Sequence, residues 1–292
     1  MSAQPHVHLG AMDLEIGTFE GWELIDSGGE RKLERFGDRV LDRPCPQAIW
    51  PKRTPDRWKE AVAEFQRGEG GQGEWTKAAK APDAWPAAWG AIRFQVRLTG
   101  FGNVGVFPEH AAHWPWMEEL LRGVPGARVL NLFAYTGGAT LACAGAGADV
   151  THVDSARSVN GWAAENASSS APIPGSIRFI AEDAVKFAKR EARRGRRYHG
   201  IIIDPPTFGR GAQGEVWKIE RDLWPLVETC AQLLEDAPLF TVLTAHSPGI
   251  TPRVLAAALA AIGKPRSMDS GEMLLVGGAQ AVPAGAYARA VF

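Results

Sequence analysis

The chain has 292 residues, a formal net charge of −1, 45% hydrophobic and 22% charged residues, which is ordinary soluble globular composition with room for one large domain and a small one. A near-neutral balance leaves any nucleic-acid partner to local patches rather than to the total charge, and the lack of an apolar run of roughly 18 residues excludes a membrane-spanning helix. The three scattered cysteines, Cys45, Cys143 and Cys230, offer neither metal-ligand spacing nor a disulfide framework; no metal is expected, and the start MSAQPHVHLGAMDLEIG, lacking the parts of a secretory or transit signal, points to the cytoplasm.

The first 105 or so residues hold short alternating pieces, KLERFG and IRFQVRL, separated by Pro, Gly and Trp. Eight of the 11 tryptophans precede residue 117, so this half has a composition of its own and reads as a small β-rich N-terminal domain over 1–105. RGEGGQGEWTK, residues 67–77, reads as an exposed loop. PKRTPDRWK, residues 51–59, mixes four cations with an aromatic, the kind of surface that grips phosphates while stacking a base.

A second domain, 106–292, has a different rhythm. ARVLNLF, DVTHVD, SIRFIAED, GIIID and PLFTVLTA read as strands. Between them GATLACAGAG, SVNGWAAENASSS, AVKFAKREARRG, a segment around 217–235 and TPRVLAAALAAIG read as helices. Alternating strand and helix with near-continuous apolar strands predicts an α/β fold, a mostly parallel Rossmann-like sheet covered on both faces. The tail, GEMLLVGG and GAYARAVF, reads as two strands without a helix between them, an antiparallel edge. KFAKREARRGRR, residues 186–197, carries seven cations against one acid, a count that fits either a phosphate contact or a solvated helix face.

In such a sheet ligands bind beyond the carboxyl ends of the strands. The first strand runs into NLFAYTGGAT, where Gly137 and Gly138 let backbone amides approach a ligand at a helix start; the spacing is not that of a dinucleotide-binding fingerprint. The second ends at Asp154, roughly 20 residues on, where an acid either accepts ribose hydroxyls or caps the next helix. The third leads to Glu182 and Asp183, with the same two readings, and the fourth to Asp204, followed by Pro205 and Pro206. Three acids on one rim beside a glycine turn predict a nucleoside pocket.

VLNLFAYTGGATLACAGAGADVTHVDSARSVNGWAAENA, followed by IIIDPPTFGRGAQGEVWKIE, resembles the class I S-adenosylmethionine-dependent methyltransferases. More narrowly it is similar to the bacterial ribosomal-RNA branch that includes cytosine-C5 enzymes of the large-subunit (23S) RNA. The likeness covers about residues 90–292, includes GNVGVFPEHAAHW, and shows no PUA module. It implies S-adenosyl-L-methionine as cofactor and RNA, above all ribosomal RNA, as partner. Asn131, Phe133, Ala134, Tyr135, Thr136, Gly137 and Gly138 would wrap the methionine end. Asp154 and Ser155 would meet the ribose, and Asp183 and Ala184 the adenine. Phe107, Pro108 and Glu109 would fold over the cofactor, and Asp204, Pro205 and Pro206 would line the transfer point.

Proline fixes φ and donates no backbone hydrogen bond, so the diproline predicts a rigid loop with free carbonyls, suited to holding donor and acceptor in line. Methylation at pyrimidine C5 needs a nucleophile, usually a thiolate. The C5 branch carries a cysteine after the fifth strand, whereas this chain has LTAHSPG, with Ala245, His246 and Ser247. Cys143 and Cys230 fall in predicted helices, so direct, non-covalent transfer is expected. Thr207 stands where amino-methylating enzymes of the resembling class have an aromatic; Phe208, one residue later, is a candidate to stack a flipped base. His246 fits a base or a structural residue. Lys218 and Arg210, near Glu215 and Trp217 around the GRGAQG loop, fit phosphate contacts or a solvated helix start. A protein or small-molecule substrate and a non-catalytic nucleotide-binding module are the competing readings.

Overall fold

The computed structural model describes residues 9–68, 72–79, 81–170, 172–211, 214–278 and 280–292. Before residue 100 it contains the strands β1 (Leu9–Ala11), β2 (Leu14–Ile16), β3 (Trp22–Gly28), β4 (Arg31–Phe36), β5 (Arg39–Pro44), β6 (Ala63–Arg67), β7 (Gly73–Lys77), β8 (Ala84–Trp89) and β9 (Ile92–Arg97). Strands β3 to β7 pair in sequence order, antiparallel except for β5 with β6, and β8 and β9 form a hairpin. Along β9 fully and partly buried residues alternate, as a strand with one covered face requires. Residues 73–77, expected in a loop, are β7, paired with β6; residues 69–71 of that stretch lie outside the described residues.

Glu34 on β4 is fully buried and ionised. Arg43 on β5 reaches its Oε2 through Nε at 2.9 Å and Nη2 at 2.5 Å. Lys32 lies 3.3 Å from Oε1, which also accepts the Trp22 indole N–H at 3.1 Å. Burial would raise this carboxyl, but Arg43 and Lys32, with their hydrogen bonds, outweigh it and hold it below its ordinary value of 4.5.

The remainder builds around α1 (Trp114–Leu121), β10 (Arg128–Leu132), α2 (Gly138–Gly145), β11 (Asp149–Asp154), α3 (Arg157–Ser169), β12 (Ser176–Ala181), α4 (Ala184–Arg193) and β13 (Gly200–Ile203). After the hairpin β14 (Phe208–Arg210) and β15 (Val216–Lys218) come α5 (Ile219–Ala231), β16 (Phe240–Ala245), α6 (Pro252–Leu259), β17 (Ser267–Leu275) and β18 (Val282–Val291). Every residue of β13 and β16 is buried, the mark of strands covered on both faces. Helix α4 buries Ala184, Phe187, Ala188 and Glu191, one stripe at helical spacing.

The large sheet has the order β12-β11-β10-β13-β16-β18-β17-β1, with β2 also on β17. Strands β10 to β13 and β16 are mutually parallel and β18 is antiparallel to both neighbours. The chain moves outward from β10 through β11 to β12, then returns to the other side of β10 at β13. That reversal opens a crevice at the carboxyl ends of β10 and β13. One face packs Val129, Ile202 and Val242 with Trp22, Phe94 and Trp114 of the preceding segments; the other packs Leu130, Ile203 and Leu243 with Phe187, Leu226 and Leu255.

Two expectations need correction. The β17–β18 pair is interior, because β1 and β2 add in parallel to β17; three-residue strands carry too little periodicity to announce themselves. The helix expected around 217–235 spans Ile219–Ala231, since Val216–Lys218 pairs with Phe208–Arg210 instead. No helix among the described residues is long and apolar enough to cross a membrane.

Removing Arg43 would strand a buried carboxylate, so Arg43→Ala is expected to cost about 3–5 kcal/mol, read by urea unfolding at pH 7. Because the folded-state pKa of Glu34 is depressed, its stabilisation is present above about 4.5 and lost as pH falls. The Arg43→Ala deficit should therefore shrink in acid.

Candidate active site

Strand β10 ends in a turn whose backbone is unusual for its residues. Phe133 and Tyr135 have φ of 58° and 50°, left-handed values that cost a non-glycine residue about 1–3 kcal/mol and persist only where surroundings hold them. Those surroundings are specific. The Tyr135 amide donates to Asp154 Oδ2 at 3.1 Å, and the Tyr135 hydroxyl accepts from the Gly105 amide at 3.2 Å. The Thr136 hydroxyl donates to the Gly105 carbonyl at 2.5 Å. The turn is thus fastened both to β11 and to the segment around Gly105. Gly137, at φ 93°, redirects the chain into α2. A Cβ on Gly138 would lie 2.6 Å from Trp114 Cζ2, so only glycine fits there.

The strand-end acids follow. Asp154 accepts from the Ala156 amide at 3.0 Å as well as from Tyr135. Burial raises its carboxyl, and these two amides offset only part of that. Asp183 caps α4, accepting from the Lys186 amide at 2.9 Å. Asp154 and Asp183 also line the same hollow, so the cap and the pocket are compatible.

Asp204 Oδ1 accepts the Thr244 hydroxyl at 2.5 Å, and its Oδ2 lies 3.2 Å from His110 Nε2. Burial would raise the Asp204 carboxyl, but the charge and hydrogen bond of His110, then His246 and Thr244, outweigh it and hold it well below the carboxylate range. Burial acts oppositely on His110, and Asp204 outweighs that too, so its pKa is raised. His246 completes the group: Nε2 is 3.4 Å from His110 Nε2 and 3.8 Å from Asp204 Oδ1, while Nδ1 lies 2.6 Å from the Ala284 carbonyl.

The loop after Asp204 is clamped. The Trp217 indole N–H donates to the Pro206 carbonyl at 2.7 Å, and Thr207 and Ser247 hydroxyls pair at 2.7 Å. The Pro206 carbonyl is therefore engaged, contrary to the expectation that the carbonyls here stay free. Rigidity comes from these clamps as much as from the two prolines.

Two connected hollows occupy the crevice. The inner one is lined by Asn131, Phe133, Ala134, Tyr135, Thr136, Gly137 and Gly138 together with Phe107, His110, Asp204 and Thr244. The outer, of ≈ 280 Å³, is lined by Asp154, Ser155, Asp183, Ala184, Asp204, Pro205 and Pro206 with Phe107, Tyr135 and His246. Most of the sequence-derived positions are thereby brought together. Pro108 and Glu109 are buried in the short helix Pro108–Ala112 behind Phe107 and line neither hollow. Phe208, half exposed with Arg210 beside its ring, and Lys218, whose amide donates to Asp222, stand outside the lining. His110, Thr244 and Asn103 line the crevice without having been singled out; the only signal was that His110 and Asn103 stand within GNVGVFPEHAAHW.

A doubly wound sheet with this strand order, a glycine turn after its first parallel strand and acids at the next three strand ends defines a Rossmann-like nucleoside-binding enzyme domain. The S-adenosylmethionine-dependent methyltransferase family matches residues 57–260, and the chain belongs to that family. It is similar to the crystal structure of a SAM-dependent methyltransferase from Agrobacterium tumefaciens, with 36% identity, TM-score 0.91, and coverage of 100% of this chain and 97% of that one. Among curated proteins it is similar to ribosomal RNA large subunit methyltransferase K/L of Hahella chejuensis, 35% identical over 49% of this chain and 19% of that protein. The protein of the same name from Magnetococcus marinus is 29% identical over 76% of this chain and 30% of its own length. The chain thus spans less than a third of these longer relatives. The protein is a methyltransferase, and S-adenosylmethionine is its cofactor.

Donor atoms of His110, Asp204 and His246 all lie within 4.8 Å of one another. Within this group Asp204 is engaged by His110 and Thr244.

All three cysteines are buried and free. Burial pushes the Cys230 thiol up to about 12 and raises Cys143 and Cys45 as well. None of them should react with a thiol reagent such as Ellman's in the native protein, and all should after denaturation. A native thiol that reacts at once would restore a candidate nucleophile.

Proposed function

We propose that the protein transfers a methyl group directly to RNA, with ribosomal RNA as its substrate, in the cytoplasm. In this reading residues 106–292 bind S-adenosylmethionine and carry the transfer, and the β-rich residues 1–105 recognise the substrate. The observation that carries it is the convergence of the strained turn, Asp154, Asp183 and Asp204 on one crevice beside a clamped diproline loop.

The residues suit the cofactor. Asp154 offers carboxylate lone pairs to ribose hydroxyls, and Asp183 with Ala184 faces the adenine. Phe133 to Gly138 wrap the methionine end beneath Phe107, whose ring lies 5.2 Å from that of Tyr135. Glu109 behind it keeps a buried Oε2 without a partner among the described residues. The bound cofactor supplies an electrophilic methyl on a cationic sulfur. An ionised Asp204 beside it favours that cation, and the clamped Pro205–Pro206 loop fixes where an acceptor can lie.

RNA as acceptor rests on the names of the curated relatives and on charge placement. Beside Phe107 a further hollow is lined by Arg67 and the exposed Phe101 together with Lys32 and Arg43, which both pair with Glu34; Arg67 and Phe101 offer the cation and aromatic that single strands use. Arg210 lines the outer hollow and lies 5.9 Å from the Phe208 ring, and Lys218 pairs with Phe208 in the hairpin. The two basic runs contribute less. Lys52 covers the Trp58 ring at 3.5 Å, and Arg57 and Lys59 pair with Glu60 and Asp56. In the 186–197 run, Lys186, Arg190 and Arg194 pair with acids. Arg193 ends, and Arg196 and Arg197 follow, a ten-residue helix that starts in the crevice, about 15 Å away. The buried thiols and the absence of a cysteine after β16 support transfer without a covalent intermediate.

Incubation with labelled S-adenosylmethionine and unmodified ribosomal RNA, followed by mass spectrometry of the nucleosides, should show a methylated nucleoside. Label appearing instead in protein or a small molecule would contradict the RNA reading. Asp154→Ala should weaken S-adenosylhomocysteine binding tenfold or more in calorimetry, from a loss of about 1.5–3 kcal/mol for hydrogen bonds to a charged group; unchanged affinity would remove Asp154 from the ribose.

A further inference from the structure

We infer that His246 is the general base of the transfer, and that the acceptor is therefore a nitrogen or oxygen that carries a hydrogen, such as an exocyclic amine, a ring N–H or a hydroxyl. The inference rests on the methyl-transfer reading of the same crevice.

The tautomer of His246 is fixed by its surroundings. Nδ1 lies 2.6 Å from the Ala284 carbonyl, and a carbonyl only accepts, so Nδ1 carries the hydrogen. Nε2 is left with its lone pair, and His246 lines the outer hollow next to Asp204, Pro205 and Pro206. The groups that face the ring are His110, Asp204 and Glu109, with the Ala284 carbonyl and the Phe107 ring at 5.8 Å. The Nε2 hydrogen of His110 lies between Asp204 Oδ2 at 3.2 Å and the His246 Nε2 lone pair at 3.4 Å, so an incoming acceptor displaces only the longer of two contacts to reach that lone pair. After reaction the new charge on His246 faces Asp204 Oδ1 and Glu109 Oε1, each 3.8 Å away.

The step balances simply. The acceptor lone pair forms the bond to the methyl carbon while the carbon–sulfur bond breaks, its electron pair staying on sulfur. The acceptor's proton moves to His246 Nε2. One third of the His246 side chain is exposed at 34%, which lets the proton pass on to water. Asp204 supplies the carboxylate that stabilises the protonated base, and His110 acts as a positioning residue that holds that carboxylate. An acceptor without a hydrogen would give this arrangement nothing to do.

The test has a substrate-free arm and a kinetic arm. With 15N-labelled histidine, NMR of the free protein at neutral pH should show His246 with hydrogen on Nδ1 and none on Nε2. Hydrogen on Nε2 would overturn the inference whatever the substrate proves to be. In the kinetic arm His246→Gln should lower kcat by about 10²–10⁴-fold, with KM and S-adenosylhomocysteine affinity within twofold. It should also abolish the acid-side limb of the kcat–pH profile. A retained limb, or a product methylated on a carbon or on a ring nitrogen that bore no hydrogen, would overturn it. Total absence of label from RNA in the wild-type protein would fault the function reading instead, and the NMR arm would still decide the base.

Discussion

Asp204 holds an ionised carboxylate in a partly enclosed crevice, and much of the structure around the large sheet is arranged so that it can. Its partners come from three places: His110 from the short linker helix Pro108–Ala112, Thr244 from the end of β16, and His246 from the loop that follows. Desolvation opposes the charge, and these groups more than offset it. The same contacts bring the linker helix down onto the sheet, placing Phe107 against Tyr135 and closing the inner hollow from above. Electrostatics and architecture are one arrangement here: without the linker helix the carboxylate would lose its first counter-charge.

The strained turn after β10 is the second half of that arrangement. Left-handed Phe133 and Tyr135 are tolerable because Asp154 and Gly105 hold the turn from either side. Asp154 thereby couples the glycine corner to the adjacent strand, and Gly105 couples it to the linker. The N-terminal segments do more than append a module. Strands β1 and β2 extend the large sheet beside β17, and Trp22 and Phe94 share one core with Val129 and Val242. An ordered relation between the β-rich region and the crevice follows, as a substrate-recognising surface next to a reaction centre would need.

The parallel core was legible in the sequence because strands such as GIII and FTVLTA are buried on both faces and hence read as unbroken apolar runs. The acids 154, 183 and 204 were legible for a related reason: each stands where an apolar run stops, and parallel strands stop on one rim. What the sequence hid are features made by closure in space. His110 and His246 meet across 136 residues and Asp204 and Thr244 across 40, with no local pattern to mark either. Three-residue strands such as β1, β2, β14 and β15 escape a period-2 reading, so the helix at 219 was drawn too early and the antiparallel pair was drawn as an edge. The diproline loop was expected to be rigid for its prolines alone, yet Trp217 and Ser247 supply clamps that no spacing rule announces.

The central claim is that one S-adenosyl ligand is gripped jointly by the turn at 133–138 and the acids at 154, 183 and 204. A crystal structure of the protein with S-adenosylhomocysteine tests it most directly. The account predicts ribose hydroxyls on Asp154, adenine beside Asp183 and Ala184, and the sulfur facing Asp204 and Pro205. A ligand seated elsewhere, for example in the groove lined by Arg128, Arg178 and Arg197 at the opposite rim of the sheet, would contradict it.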